Sequence, residues 1–534
     1  MKRKGVLVGA LVAAILIATA VSGAFAATRD EIETAVANGV AWLASRQYGD
    51  GSWGDWEQAA KTCFVLVKLE ERAYDLGYMS PFDPAYPYSE NVIRGWQYIF
   101  GTPHIYQWMG LGVQWHAGNP DDPDTNGNGY GIYFDTWGSQ RTYTTGICLM
   151  ALAASGTPDR ANDGGHDFNG DGSADTFAEL AQEAVDWLAF AQGDFNWPEG
   201  GWAYSENDNA DWWADNSNSG YAVLGLAYGE SFGAVVPAWV RSELNVWIGY
   251  IQCNAPDPNF GGSGYNWGCD WVNQLKAGNL IFEMRFYGDA PSAQRFQDAL
   301  DYIERHWQDN DTDPGWGYNW YPASYQAMYT LMKGFEYSGI ELIDLDGDGT
   351  PEHDWFDEFS TVLVGQQNPD GSWPGCDWGD DILCTTWALL TLEKVAPVIE
   401  VPVDIKPRSC PNPFNVGDKG LLPVAILGTE RIDVTRIDPA SVRLEGVAPR
   451  RWSLEDVATP YVPFTGKIGA HDCTAAGPDG YLDLGLKFQT QAIVAALGPV
   501  FNRQVLVLEL TGNLKTEFGG APIVGEDVVV ILKK

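Results

Sequence analysis

Carboxylates recur beside tryptophan in short glycine-rich stretches of this chain, each just ahead of an apolar run. They are Asp55 and Glu57 in GDWEQ, Asp135 in FDTWG, Asp211 and Asp215 in ADWWADN, Asp270 in CDWVN, and Asp377, Asp380 and Asp381 in CDWGDD. A comparable stretch, GWGYNWYPASYQ, carries no acid. Two carboxylates roughly 5 to 10 Å apart across a cleft are the acid and base of glycosidic cleavage. The candidates for such work are Asp135, Asp215, Asp270, Asp377, Asp380 and Asp381, and the rings placed to stack on a ligand are Trp137, Trp212, Trp213, Trp271, Trp320 and Trp378. An aspartate ahead of a helix is also an ordinary N-cap, and a tryptophan in a helix pair is also core packing.

A second kind of chemistry lies in two oxygen-rich loops. DFNGDGSAD places Asp167, Asn169, Asp171, Ser173 and Asp175 at alternate positions with Gly172 sixth, and DLDGDGTPEHD offers Asp344, Asp346, Asp348, Thr350, Glu352 and Asp354. Alternating oxygen ligands around a glycine turn suit a wrapped Ca²⁺. The bidentate acid usual at position twelve is missing from the first loop, with Glu179 next door as a substitute. DDPDTNGNG, residues 121 to 129, is a weaker third loop of this type.

The elements that carry these residues repeat. A glutamine, a glycine-rich turn and a tryptophan recur around Gln47, Gln192, Gln252, Gln308 and Gln367, the last four 56 to 60 residues apart. That period holds two helices and two connections. Each turn is followed by a run that is apolar on most faces and too long for a buried strand, such as TTGICLMALA and CTTWALLTL. With a degenerate second copy around NVIRGWQYIF, six helix pairs lie between about residues 30 and 396. Six outer and six inner helices imply a closed ring, with the acid-bearing turns at one mouth. From residue 397 the text changes to short β-branched runs between Gly, Pro and Asn turns, the pattern of a sandwich-like domain.

The segment QNPDGSWPGCDWG followed by TTWALLTL resembles the repeat of squalene and hopene cyclases, on Gln367, Asp370, Gly371, Ser372, Trp373, Trp378, Gly379, Thr386 and Trp387, with one extra residue before Trp378. The resemblance implies the mainly α, (α/α)6 toroid that those cyclases share with protein prenyltransferases, thioester domains and cobalamin carriers. It implies no single chemistry. The cyclase acid motif D-x-D-D is absent, as are the prenyltransferase D-x-C and the thioester G-C-G-E-Q. The C-terminal segments resemble a module recurring in secreted archaeal and bacterial proteins.

A basic n-region, an apolar stretch and Ala24-Phe25-Ala26 mark residues 1–26 as a secretory signal peptide, an uncleaved membrane anchor being the alternative. Residues 27–396 then form the toroid and 397–534 the β-rich accessory domain, in a secreted or cell-surface protein. Its eight cysteines permit disulfides, although Cys63 and Cys148, inside apolar helices, read as buried free thiols. A net charge of -39 opposes nucleic acids and anionic membranes as partners. The expectation is an exported, calcium-stabilised protein that binds, and in one version cleaves, an extracellular ligand, a glycan before other small molecules. The alternatives are a terpenoid or lipid cyclase with an altered acid, and a non-enzymatic carrier or surface protein.

Overall fold

A computed structural model describes residues 26–533, apart from 102–103, 117–118, 137–139, 194–198, 207–213, 255, 257, 308, 310–314, 317–322, 377–379, 395–398, 430–431, 463, 465–466 and 516–521. The chain is mainly helical, and among the described residues the first twelve helices fall into six consecutive pairs. They are α1 (Arg29–Ser45) and α2 (Gln58–Asp75), α3 (Ser89–Ile99) and α4 (Arg141–Ala154), α5 (Phe177–Phe190) and α6 (Asn216–Ser231), α7 (Ala238–Ile251) and α8 (Gln274–Tyr287), α9 (Gln294–Arg305) and α10 (Tyr325–Ser338), and α11 (Trp355–Gln366) and α12 (Asp381–Leu392).

The two members of a pair bury different amounts of surface. In α9 the buried side chains are Phe296, Ala299, Tyr302 and Ile303, one stripe at helical spacing, whereas α10 is buried on nearly every face. The even-numbered helices pack on one another in closed order, α2 to α4, α6, α8, α10, α12 and back to α2, with odd-numbered helices against them. Small residues allow the closest approach: a Cβ added to Gly225 of α6 would sit 2.6 Å from the Gly146 Cα of α4.

The repeated glutamine is a latch between neighbouring pairs. Gln192 Nε2 donates to Gly200 O in its own turn (2.9 Å) and to Val240 O in the next outer helix (3.0 Å). Gln47 bridges Gly51 and Asn91, Gln252 bridges Gly261 and Arg295, and Gln367 bridges Gly371 and Ala35, which joins the last pair to the first. The turn must be glycine for two reasons visible at Gly200. Its φ is +84°, and a Cβ there would lie 1.9 Å from Glu243 O. The turn tryptophans point home: the indoles of Trp53, Trp202 and Trp373 donate to Leu43 O, Leu188 O and Leu363 O of their own outer helices.

Four disulfides join Cys63 to Cys148, Cys253 to Cys269, Cys376 to Cys384 and Cys410 to Cys473. The free-thiol expectation for Cys63 and Cys148 is therefore wrong. Adjacent inner helices α2 and α4 bring their Cα atoms to 4.9 Å, an approach that a separation of 85 residues conceals. The insertion before α4 holds an antiparallel pair of strands, Ile105–Met109 and Tyr130–Phe134, the second packed on α5. After residue 398 the core is a separate apolar cluster between a four-stranded and a five-stranded sheet, with one helix, α13 (Thr490–Leu497), that the strand-rich sequence pattern did not announce.

Candidate functional site

Contacts between helices that are not neighbours in the closed order must cross its axis. Phe64 of α2 meets Tyr221 of α6 and Tyr329 of α10 edge-on at 6.0 and 5.6 Å. The side chains of Trp387 of α12 and Gln326 of α10 also approach the Tyr221 hydroxyl, without a well-formed hydrogen bond. These residues lie at similar depths in their helices, so the inner helices run parallel with their N-termini at one end. The rings meet across the axis and are the floor of the bowl, the N-terminal end of the six inner helices. Beyond the floor, Lys333 Nζ donates to the Tyr228 hydroxyl (2.7 Å), and burial pushes this lysine down to about 7.

The expected acids divide once placed around this bowl. Asp215, fully buried, is the N-cap of α6: it accepts from the Asn218 amide (2.9 Å) and from the side chains of Ser217 and Asn218. Asp380 caps α12 through the Leu383 amide (3.1 Å) and binds Lys61 Nζ at 2.6 Å. Capping therefore consumes both, as a carboxylate at a helix start favours. Asp381 and Asp270 are exposed, and Asp377 lies outside the described residues. Asp135 differs. It is fully buried, caps no helix, and sits 3.8 Å from the Arg141 guanidinium.

Asp135 belongs to a cluster that its own motif does not reveal. Arg141, the first residue of α4, also pairs with Glu206, which is buried. Glu57, immediately before α2, is 8% exposed, and the Tyr143 hydroxyl of α4 approaches its carboxyl. Burial, and next the charge of Asp135, raise the Glu57 carboxyl above its ordinary range. Its backbone is held at φ +49°, a left-handed conformation that a non-glycine residue adopts at some strain. Tyr204 continues the strip: its hydroxyl shares a hydrogen bond with Tyr265 and lies near Ser217, which donates to Asp215. Sequence reading passed over Arg141, Tyr143 and Glu206. The one signal for Glu57 was its place in the first acidic turn.

Among the expected rings, Trp271 is described. It is 44% exposed and lies over Lys276 Nζ at 4.2 Å. Trp56 repeats the arrangement over Lys61, at 4.2 Å and 50% exposed. Trp137, Trp212, Trp213, Trp320 and Trp378 lie outside the described residues.

The oxygen-rich loops lead into outer helices, away from the bowl. Carboxylate oxygens of Asp344, Asp346, Asp348 and Glu352 lie within 4.8 Å of one another. Asp344 is clamped by the amides of Gly347 and Gly349, and Thr350 donates its amide to Asp348. An all-oxygen donor set suits a hard divalent cation. Asp354 stands apart, its Oδ1 taken by the amides of Phe356 and Asp357 as the N-cap of α11. The first loop has the same wrap: Asp167 accepts from Gly170 and Gly172, Asn169 from Asp171, and Asp171 from Ser173. Asp175 Oδ1 is buried there with no hydrogen-bond partner among the described residues. Glu179 is engaged in the Thr176 capping box. In the third loop, Asn126 and Asn128 donate their amides to buried Glu183 of α5 (2.8 and 2.6 Å).

No protein-family model matches the chain, and no curated protein matches it. Among the described residues no helix is long and apolar enough to cross a membrane.

Proposed function

We propose that the protein is an exported (α/α)6 toroid of the squalene-cyclase and prenyltransferase repeat type, with a β-sandwich accessory domain, and that it binds and cleaves an extracellular glycan at the bowl. The closed packing order of the six inner helices supports the toroid, and the separate apolar cluster after residue 398 supports the second domain. Four disulfides accord with an oxidising compartment. Calcium is the cation we assign to the 344–352 cluster and the 167–175 loop, where it would brace the starts of α11 and α5.

The observation that carries the catalytic reading is the pair Glu57 and Asp135. Burial favours the protonated form of Glu57, as a general acid at a glycosidic oxygen requires, while Asp135, ion-paired with Arg141, supplies the carboxylate. The exposed Trp56 and Trp271 rings flank the bowl as stacking platforms for sugar faces. A net charge of -39 favours an uncharged polysaccharide over a sulfated or uronate-rich one. The rings meeting across the axis disfavour a cyclase, which needs an enclosed apolar cavity; the caps at Asp215 and Asp380 are what a pure carrier would also show.

The test is binding and turnover on a panel of neutral polysaccharides by wild type, Glu57→Gln and Asp135→Asn. Both variants should bind as wild type does and lose at least about 100-fold in kcat. Binding without turnover by wild type would leave the carrier reading, and no binding to any glycan would end the glycan assignment.

A further inference from the structure

The C-terminal sheets enclose a polar triad unrelated to the bowl. Lys467 and Asp527 are each 1% exposed, and Lys467 Nζ lies 3.2 Å from Asp527 Oδ1. The amine also reaches Glu526 O (2.8 Å) and Val403 O (3.3 Å), so it is fixed on the carboxyl from three sides. The other oxygen, Asp527 Oδ2, accepts from the Ile405 amide (2.7 Å) and from Asn412 Nδ2 (2.8 Å). Beside them is Asp404, which feels the charges of both Asp527 and Lys467. It is 1% exposed, and neither of its oxygens has a well-formed hydrogen bond among the described residues, the Arg408 amide approaching in weaker geometry. Burial, and next the charge of Asp527, push Asp404 up to about 7; burial raises Asp527 too.

One amine and two carboxyls share a site closed to water, where the second carboxylate has no cation of its own to offset its lost hydration. Amide formation requires a neutral amine against a neutral acid, the pair reached when Lys467 passes its proton to Asp527. The two donors on Oδ2 are placed as an oxyanion hole for the tetrahedral adduct.

We propose that Lys467 and Asp527 condense to an intramolecular amide, with Asp404 relaying the protons. The Nζ lone pair adds to Asp527 Cγ, and the negative charge collects on Oδ2 between Ile405 N–H and Asn412 Nδ2. Asp404 accepts a proton from the adding amine and delivers one to Oδ1. The Cγ–Oδ1 bond then breaks, Oδ1 departs as water, and Asp404 ends as it began. One C–N bond forms and one C–O bond breaks, with no oxidant, reductant or co-reactant. The remaining N–H keeps its bond to Glu526 O. The product ties the strand Pro522–Leu532 to the segment ahead of Cys473, so that an amide and the Cys410–Cys473 disulfide brace the same part of the domain.

Mass spectrometry of the full-length, disulfide-reduced protein tests this. The folded chain should be lighter than its sequence by one water, about 18 Da, and a digest should yield a branched peptide carrying Lys467 and Asp527. Asp527→Ala and Lys467→Arg should restore the missing mass, and Asp404→Asn should lower the cross-linked fraction at least about tenfold. Asp527→Asn, by expelling ammonia instead of water, should reach the same branched product. Wild type at its full sequence mass, with Lys467 and Asp527 on separate linear peptides, overturns the proposal whatever the variants do. Full cross-linking in Asp404→Asn removes the role given to Asp404.

Discussion

Replacing Gln192 isolates the latch between repeats. The side chain is fully buried and its Nε2 makes two hydrogen bonds to backbone carbonyls, while Oε1 has no partner among the described residues. In Gln192→Met the volume is kept. Losing two bonds costs about 2 kcal/mol, and removing the unpaired Oε1 returns about 1, leaving a net loss of about 1 kcal/mol. Gln192→Ala adds a cavity in a close-packed junction and should reach about 3 kcal/mol. Gln47 makes the same two bonds at a half-buried position, where water replaces the lost donor. Gln47→Ala should therefore cost about 1 kcal/mol. At about 2.1 cal/mol/K per residue over the roughly 370 residues of the helix pairs, a 3 kcal/mol loss lowers Tm by about 4 °C. Urea unfolding followed by tryptophan fluorescence, with calorimetry for Tm, measures the series. The order Gln192→Ala, then Gln192→Met and Gln47→Ala together, is the expected result. Equal costs for the two alanine variants, or no loss in Gln192→Met, would refute the latch as the source of inter-repeat cohesion.

Gln367→Ala should raise hydrogen exchange in α1 first, because that latch, with the Trp42–Asp370 hydrogen bond, joins the sixth turn to the first helix. Gly225→Val should destabilise by at least about 2 kcal/mol in denaturant melts, since the added Cβ overlaps the backbone of α4. Calcium should raise Tm and chelation lower it, an effect that Asp344→Ala with Asp348→Ala reduces; an unchanged Tm with and without calcium contradicts the assignment. Asp186 of α5 is raised to about 7, chiefly by burial. The folded state then holds a proton that the unfolded state has already lost, so this group's contribution falls as pH rises from about 4 to 7. Asp186→Asn should flatten that fall in a pH series of urea midpoints.

How much was legible depended on how local each partner was. The period, the glutamine turn and the helix pairs could be read because each turn uses residues within about ten positions of one another. Asp215 and Asp380 read equally well as acids or caps, and the decision for capping rests on amides three residues onward. Asp135 looked like its counterparts in sequence but became the buried exception, because Arg141 reaches it across the turn while holding Glu206, 65 residues further on. Cys63 and Cys148 were misread for the same reason: apolar surroundings predict a buried thiol and say nothing of which helix lies opposite.

By itself the sequence determined the repeat, its glycines, the oxygen spacing of the cation loops and the change of texture near residue 397, all consequences of short-range backbone geometry and periodic burial. Only tertiary structure decided which acids are spent on caps, which rings meet across the axis, and that Glu57, Asp135 and Arg141 share one bowl. The triad of Lys467, Asp527 and Asp404 is of the same kind. Its members are separated by 60 residues or more, and each is an ordinary charged residue until two sheets close over all three and remove the water.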